Sequence, residues 1–304
     1  MAQFGTVLTA MVTPFADDGS LDLDGAQRLA RHLVSIGNDG VVVAGTTGEA
    51  PTLTHEEQAE LFVAVREALP AHTVIAGTGS NDTRSAITNT ERAAAAGVDG
   101  ALVVTPYYNR PSQAGLEAHF RQVAESTDLP VILYDIPVRT GRKIDTATLL
   151  RLSEVDNIVA IKDAAGDVAA TAELLSMAEG AYEVYSGEDK LTLPLLAVGA
   201  VGTIGVATHW VAAQTAAMFE AYDKGLVAEA AALNAAMIPS YGFESGDDAP
   251  NPVPSKVMMN LLGVNVGECR SPMGPIPPWL EDRAKTVLTD LGLSAGEFQR
   301  EQGN

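Results

Sequence analysis

At 304 residues, 46% hydrophobic and 19% charged, the chain has the composition of an ordered globular protein and the length of one large α/β barrel or two modest domains. Its formal net charge of −20 argues against nucleic acid and membrane as partners, because phosphates and anionic lipid call for clustered Lys and Arg. A single cysteine, Cys269, can neither staple the fold nor build a zinc site; with no basic leader and no run of about 18 apolar residues, the expected location is cytoplasmic.

Short apolar, β-branched runs recur along the chain, each followed by turn residues and then by a stretch with helical spacing of its apolar positions. Eight strands are predicted, at 7–14, 40–46, 73–78, 101–106, 131–136, 158–162, 182–186 and 201–206. Thr54 and Glu57 read as a capping box, Asp82 as a helix start, and Gly37, Gly97 and Gly180 as helix stops. Beyond the eighth run a helix is expected through Ala221, then several more as far as Leu293, interrupted by a turn-rich connection at 247–254. Only 301–304 reads as loose.

Parallel strands need long, usually helical crossovers, and eight such units close a barrel. The expected architecture is therefore a (β/α)8 TIM barrel over 1–224 with a C-terminal helical region over 225–304. An open doubly wound sheet is the rival. Its best dinucleotide motif, Gly77-Thr-Gly79 before Asp82, lacks the third glycine and the acidic residue of a following strand.

Catalytic groups of such a barrel lie at the carboxyl ends of its strands. The sixth strand is apolar up to Lys162, the only one of six lysines that falls in a predicted strand. Withdrawal from water favours its neutral amine, a nucleophile suited to imine chemistry with a carbonyl compound. The alternative is a strand-end lysine paired with Asp163 or Glu49. The second strand ends in Gly45-Thr-Thr-Gly48-Glu49, whose Thr46-Thr47 turn can present N–H groups and hydroxyls to a carboxylate. Tyr134 ends the fifth strand, next to the sixth, where its phenol can move protons; it can equally be a core tyrosine. Arg139 offers a fork for a second carboxylate, or a surface salt bridge. The five histidines show no metal-ligand spacing, and neither Ser186 nor Ser271 sits in a nucleophile elbow.

The motifs Gly45-Thr-Thr-Gly-Glu49, Thr105-Pro-Tyr-Tyr-Asn-Arg-Pro111, Tyr134-Asp-Ile-Pro-Val-Arg-Thr-Gly141, Ile161-Lys-Asp163, Ser186-Gly-Glu188 and Asn251-Pro-Val-Pro254 together resemble the pyruvate-dependent class I aldolases, the family of the dihydrodipicolinate synthases and N-acetylneuraminate lyases. The likeness runs from about Thr6 to beyond Pro254 and is nearer the synthase branch. It implies that Lys162 forms an imine with pyruvate, with Thr46-Thr47 holding the pyruvate carboxylate. Tyr134, Thr46 and Tyr108 would relay protons, Arg139 would anchor aspartate semialdehyde, and Gly187 and Ile204 would line the pyruvate pocket. It further implies a step of diaminopimelate and lysine biosynthesis with no metal or organic cofactor. The assembly would be a homo-oligomer, a tetramer built as a dimer of dimers, with Tyr107 crossing the tight interface. Two rivals remain: a lyase releasing pyruvate from a sugar acid, which would need a longer hydroxyl-binding groove, and a non-catalytic barrel, against which Lys162 speaks.

In family members inhibited by lysine, the effector sits at that interface, and His55, Asn81 and Tyr107 match its site. Ser85, Gln58 and Pro51 depart from it, and Ser85 replaces the carboxylate that would meet the lysine ammonium. A desolvated ammonium without a partner binds poorly. Activity titrated with millimolar lysine should therefore fall little or not at all; strong inhibition would refute this.

Overall fold

The computed structural model describes residues 2–298; the segment expected to be loose, 301–304, lies outside them. Eight parallel strands close into a barrel in sequence order: β1 (Val7–Ala10), β2 (Gly40–Val43), β3 (Thr73–Gly77), β4 (Gly100–Val104), β5 (Val131–Asp135), β6 (Ile158–Asp163), β7 (Glu183–Ser186) and β8 (Gly202–Gly205), with β8 returning to β1. The two-residue period of a strand divides each sequence between two cores. Leu8, Ala10, Val42, Ile75, Ile132, Tyr134, Ala160 and Ile204 fill the barrel interior, while Val7, Val41, Val43, Val74 and Ala76 face the helices. Because Ala160 points inward, Lys162 two residues on does too.

The crossovers carry α1 (Leu23–Ser35), α2 (His55–Ala68), α3 (Thr83–Ala95), α4 (Gln113–Glu125), α5 (Pro137–Thr140), α6 (Thr146–Leu152), α7 (Val168–Met177) and α8 (Thr192–Ala197). The capping box at Thr54 and Glu57 is present, and Asp82 caps α3 by accepting from the Ser85 N–H. Gly37, Gly97 and Gly180 all take positive φ. Several strands are shorter than their apolar runs. The second stops at Val43 because Ala44, at φ 51, turns the chain off the ladder; the first stops at Ala10 although Met11 and Val12 remain buried. Burial continues beyond the strand into the loop, so apolarity alone overruns the ends.

After β8 come α9 (Thr208–Asp223), α10 (Val227–Tyr241), α11 (Val253–Leu262) and α12 (Leu280–Asp290). Val257, Met258, Leu280 and Ala284 share one apolar cluster with Val7, Met11 and Phe15 of the barrel. No helix among the described residues is long and apolar enough to cross a membrane.

A buried ion pair joins the last helices to the second strand's loop. Lys256 of α11, almost wholly buried, pairs with the equally buried Glu49 at 2.8 Å. Its ammonium also donates to the Glu268 carbonyl at 2.8 Å and lies 4.2 Å from the Phe15 ring centroid. Arg270 covers the same ring at 4.2 Å while its guanidinium pairs with Glu57 at 2.6 Å. Removing one member of a buried pair strands the other charge, at a cost of about 3–5 kcal/mol. Lys256→Met should lower stability in urea unfolding by that order, and adding Glu49→Gln should recover most of it; additive losses would contradict the coupling.

Candidate active site

The register of β5 against β6 sets Tyr134 beside Lys162, and the lysine Nζ lies 4.5 Å from the tyrosine ring centroid. Lys162 is 4% exposed. Neither carboxylate that might have neutralised it does so. Glu49 is held by Lys256, and Asp163 points to the outside of the barrel, accepting from the Ala165 N–H at 2.8 Å and from the Thr171 hydroxyl. Among the described residues Lys162 makes no salt bridge within 4.0 Å. Burial, with a smaller contribution from the Arg139 charge, brings its pKa down to about 8, against the opposing pull of Asp189, Glu188 and Glu244. About a tenth of the amine is then neutral at pH 7, far more than for an ordinary lysine.

Tyr134 is buried, and burial pushes its phenol up to about 12, opposed by a hydrogen bond with Thr46. It therefore rests protonated, able to give a proton and to regain one along the Thr46 contact. Thr46 belongs to the turn after β2. There Glu49, at φ 56, closes back with its N–H on the Thr46 carbonyl at 3.1 Å and Ala50 closes on Gly45 at 3.2 Å. The Thr46 and Thr47 N–H groups donate to no backbone carbonyl among the described residues. This turn packs tightly on β3: a Cβ on Gly77 would lie 2.3 Å from the Ala44 carbonyl oxygen. Thr47 is buried, and its hydroxyl accepts from Asn251 Nδ2 at 2.9 Å.

A cavity of about 370 Å³ opens over these groups, walled by Thr46, Tyr107, Tyr134, Ile136 and Arg139 and reaching His55, Gln58 and Asn89. Lys162 lies behind the Tyr134 ring, outside the lining of that cavity. Arg139, on the short α5, reaches the Asn251 carbonyl at 3.4 Å. Gly187 packs on the lysine stem, where a Cβ would come within 3.0 Å of Lys162 Cγ and Cε. Ile204 is buried in the barrel interior.

The two adjacent tyrosines take different surroundings within the chain. Tyr108, expected in the relay, is 90% exposed at φ 72 and is not in the cavity wall of its own chain. Tyr107, expected at an interface, lines that wall. Of the residues matched to an effector site, His55 lines the far end of the cavity, and the Asn81 carbonyl accepts from Asn109 Nδ2 at 2.8 Å. Gln58 Nε2 donates to the Ala50 carbonyl at 3.1 Å, and the Ser85 hydroxyl is taken by Asp82 at 2.8 Å.

Three groups escaped the sequence reading. Asn251 bridges Thr47 and Arg139; it falls in the Asn-Pro-Val-Pro motif, which was the available signal. Asp189, just past the Ser-Gly-Glu end of β7, and Glu244, after α10, are both buried near Lys162. Glu244 had no local signal, since only tertiary packing carries the helical extension to the barrel mouth.

The dihydrodipicolinate synthetase family model matches residues 3–290. The chain is 53% identical over 303 residues to the 4-hydroxy-tetrahydrodipicolinate synthase of Acidothermus cellulolyticus, with 97% of each chain covered. It is 49% identical over 292 residues to that of Moorella thermoacetica, covering 96% of this chain and 99% of the other. The solved synthase from Cyanidioschyzon merolae, with lysine bound, superposes with a TM-score of 0.93 at 40% identity, covering 95% of this chain and 99% of that one. Lysine, tyrosine and threonine gathered at the ends of three strands agree with what the whole-length match indicates: the chain belongs to the dihydrodipicolinate synthetase family.

Proposed function

We propose that this chain condenses pyruvate with L-aspartate 4-semialdehyde through an imine on Lys162, the activity named in its relatives, within the route to diaminopimelate and lysine. The observation that carries this reading is a buried amine with no ion-pair partner, lowered to about 8 and set against a protonated phenol.

The neutral amine adds to the ketone carbon of pyruvate, forming a C–N bond and a carbinolamine. Loss of water leaves an iminium, and loss of a methyl proton converts it to an enamine. Tyr134 supplies and recovers protons, with Thr46 as the next group in line. The pyruvate carboxylate would meet the free Thr46 and Thr47 N–H groups, an arrangement suited to anions. Arg139, in the cavity wall, suits the carboxylate of the second substrate as a two-pronged donor. The enamine carbon attacks the aldehyde, and the substrate amine displaces Lys162 to close the ring. None of these steps calls for a metal or organic cofactor.

Assembly as a homo-oligomer, a dimer of dimers, fits the exposure of Tyr108, which would find its phenol a place only on another subunit. The sugar-acid lyase is the second reading. It is disfavoured by Arg139, a single fork where a run of hydroxyls would need several neutral partners.

Borohydride reduction with pyruvate should fix a covalent adduct on Lys162, found by mass spectrometry of its peptide, and Lys162→Ala should abolish it. Trapping should be slow below the amine's pKa of about 8, rise as pH passes through it and level off above, because only the deprotonated amine attacks; a flat profile would count against a tuned lysine. Tyr134→Phe should lower kcat by roughly 10²–10⁴ while the adduct still forms slowly. Arg139→Ala should raise KM for the semialdehyde and spare pyruvate trapping. Preference for sugar acids over the semialdehyde would overturn the choice of second substrate.

A further inference from the structure

The chemistry so far leaves two buried carboxyls unused. Asp189 lies just past β7 and is 4% exposed; Glu244 lies after α10 and is 6% exposed. The Val206 N–H donates to Asp189 Oδ2 at 2.7 Å. The two carboxyls are neighbours that act on each other, and Glu244 Oε2 is buried with no hydrogen-bond partner among the described residues. Neither carboxyl forms a salt bridge within 4.0 Å among the described residues. Glu188 beside them is matched by Lys190 at 3.2 Å.

Two carboxyls in contact in a dry site cannot both ionise; they share one proton and carry one negative charge. Burial drives both pKa values up, and for Glu244 the neighbouring Asp189 adds to it. The groups facing the pair are few. Lys162 faces it from β6, Glu188 from the loop after β7, the Tyr241 phenol from α10, and the Val206 and Ala207 N–H groups from the end of β8; Arg139 lies across Lys162 on α5. Lys162 is thus the charged group to which the pair's single charge is directed.

We propose that Asp189 and Glu244 form a singly protonated acid pair that serves as the counter-charge for the cation on Lys162, and so positions the equilibrium between free amine and iminium. This deepens the imine reading and rests on it. When the neutral amine condenses with a ketone, one C–N bond forms, the carbonyl oxygen leaves as water and one proton is taken up from solvent, leaving a positive nitrogen. In a buried site with Arg139 already near, that cation needs a fixed negative charge close by. The pair is held rigidly by backbone donors and delivers one charge rather than two, because a second would hold Lys162 as an unreactive ammonium. Glu244 also makes the helical extension part of the site.

The test rests on which variants keep the charge. In Glu244→Gln or Asp189→Asn, the remaining carboxyl ionises and accepts from the new amide, so one negative charge persists. In the double variant it is gone. Pyruvate trapping by borohydride, followed against pH, should be disturbed clearly less by either single variant than by the double variant. For the double variant its acid limb should move to lower pH by about one unit, and half-saturation by pyruvate should rise about tenfold, the change equivalent to one pKa unit. A double variant with the wild-type profile, or single variants as impaired as the double, would overturn the pair's role. Infrared spectroscopy of the wild type needs no variant to survive the double change. Above neutrality, where Asp135, at about 7, is ionised, a protonated-carboxyl C=O stretch should persist, and it should vanish in Glu244→Gln; its absence from the wild type would also overturn the proposal. Failure of the wild type to trap pyruvate at Lys162 would instead sink the imine reading and leave the infrared result standing.

Discussion

One amine kept out of water, without an ion-pair partner among the described residues, organises this molecule. A lysine so placed normally draws in a carboxylate, and two were candidates, Asp163 next in the chain and Glu49 after the second strand. The fold disposes of both: Glu49 is taken by Lys256, and Asp163 faces the other side of its strand, toward Thr171. What remains next to Lys162 is the Tyr134 ring, with charge arriving only from slightly farther away. Had either carboxylate reached the lysine, its pKa would be held up and the neutral amine that the neighbouring phenol and hydroxyl serve would be far scarcer.

The second buried lysine is as instructive as the first. Lys162 and Lys256 are similarly withdrawn from solvent, yet only Lys256 has a charge at 2.8 Å. The difference separates a structural ammonium from a reactive amine, and burial alone does not make it. The structural pair also has a consequence for the site. Glu49 ends the turn that carries Thr46 and Thr47, so α11 and the turn are tied together by a contact that loses much of its value if either end moves. Asn251, ahead of α11, adds a second tie to Thr47. The C-terminal helices thereby hold the groups that face a substrate carboxylate, and through Glu244 they also come near the amine.

Much of the fold was legible in the chain because its signals are local. Strand period, glycine stops and the Thr54 capping box are decided by neighbours within four residues, and the eightfold alternation leaves few ways to pair parallel strands. Strand ends were less legible, since buried loop residues such as Met11 and Val12 are as apolar as strand residues. Within the site, Lys162, Tyr134, Thr46 and Arg139 stand out because strand ends of a barrel converge, so polar residues there are neighbours in space. The two tyrosines after β4 differ in a way their order in the chain does not announce: Tyr108 takes a left-handed backbone and points outward while Tyr107 lines the cavity.

By itself the sequence determined the barrel and the strand that carries the lysine, since strand period and turn chemistry are written in consecutive residues; the inward direction of that lysine came only with Ala160's place in the barrel interior. Tertiary structure alone decided which carboxylates reach the amine, because Glu49 and Lys256 are 207 positions apart and Asp189 and Glu244 are 55 apart in the numbering. Electrostatic tuning depends on distance and dryness in space, and chain separation carries no record of either.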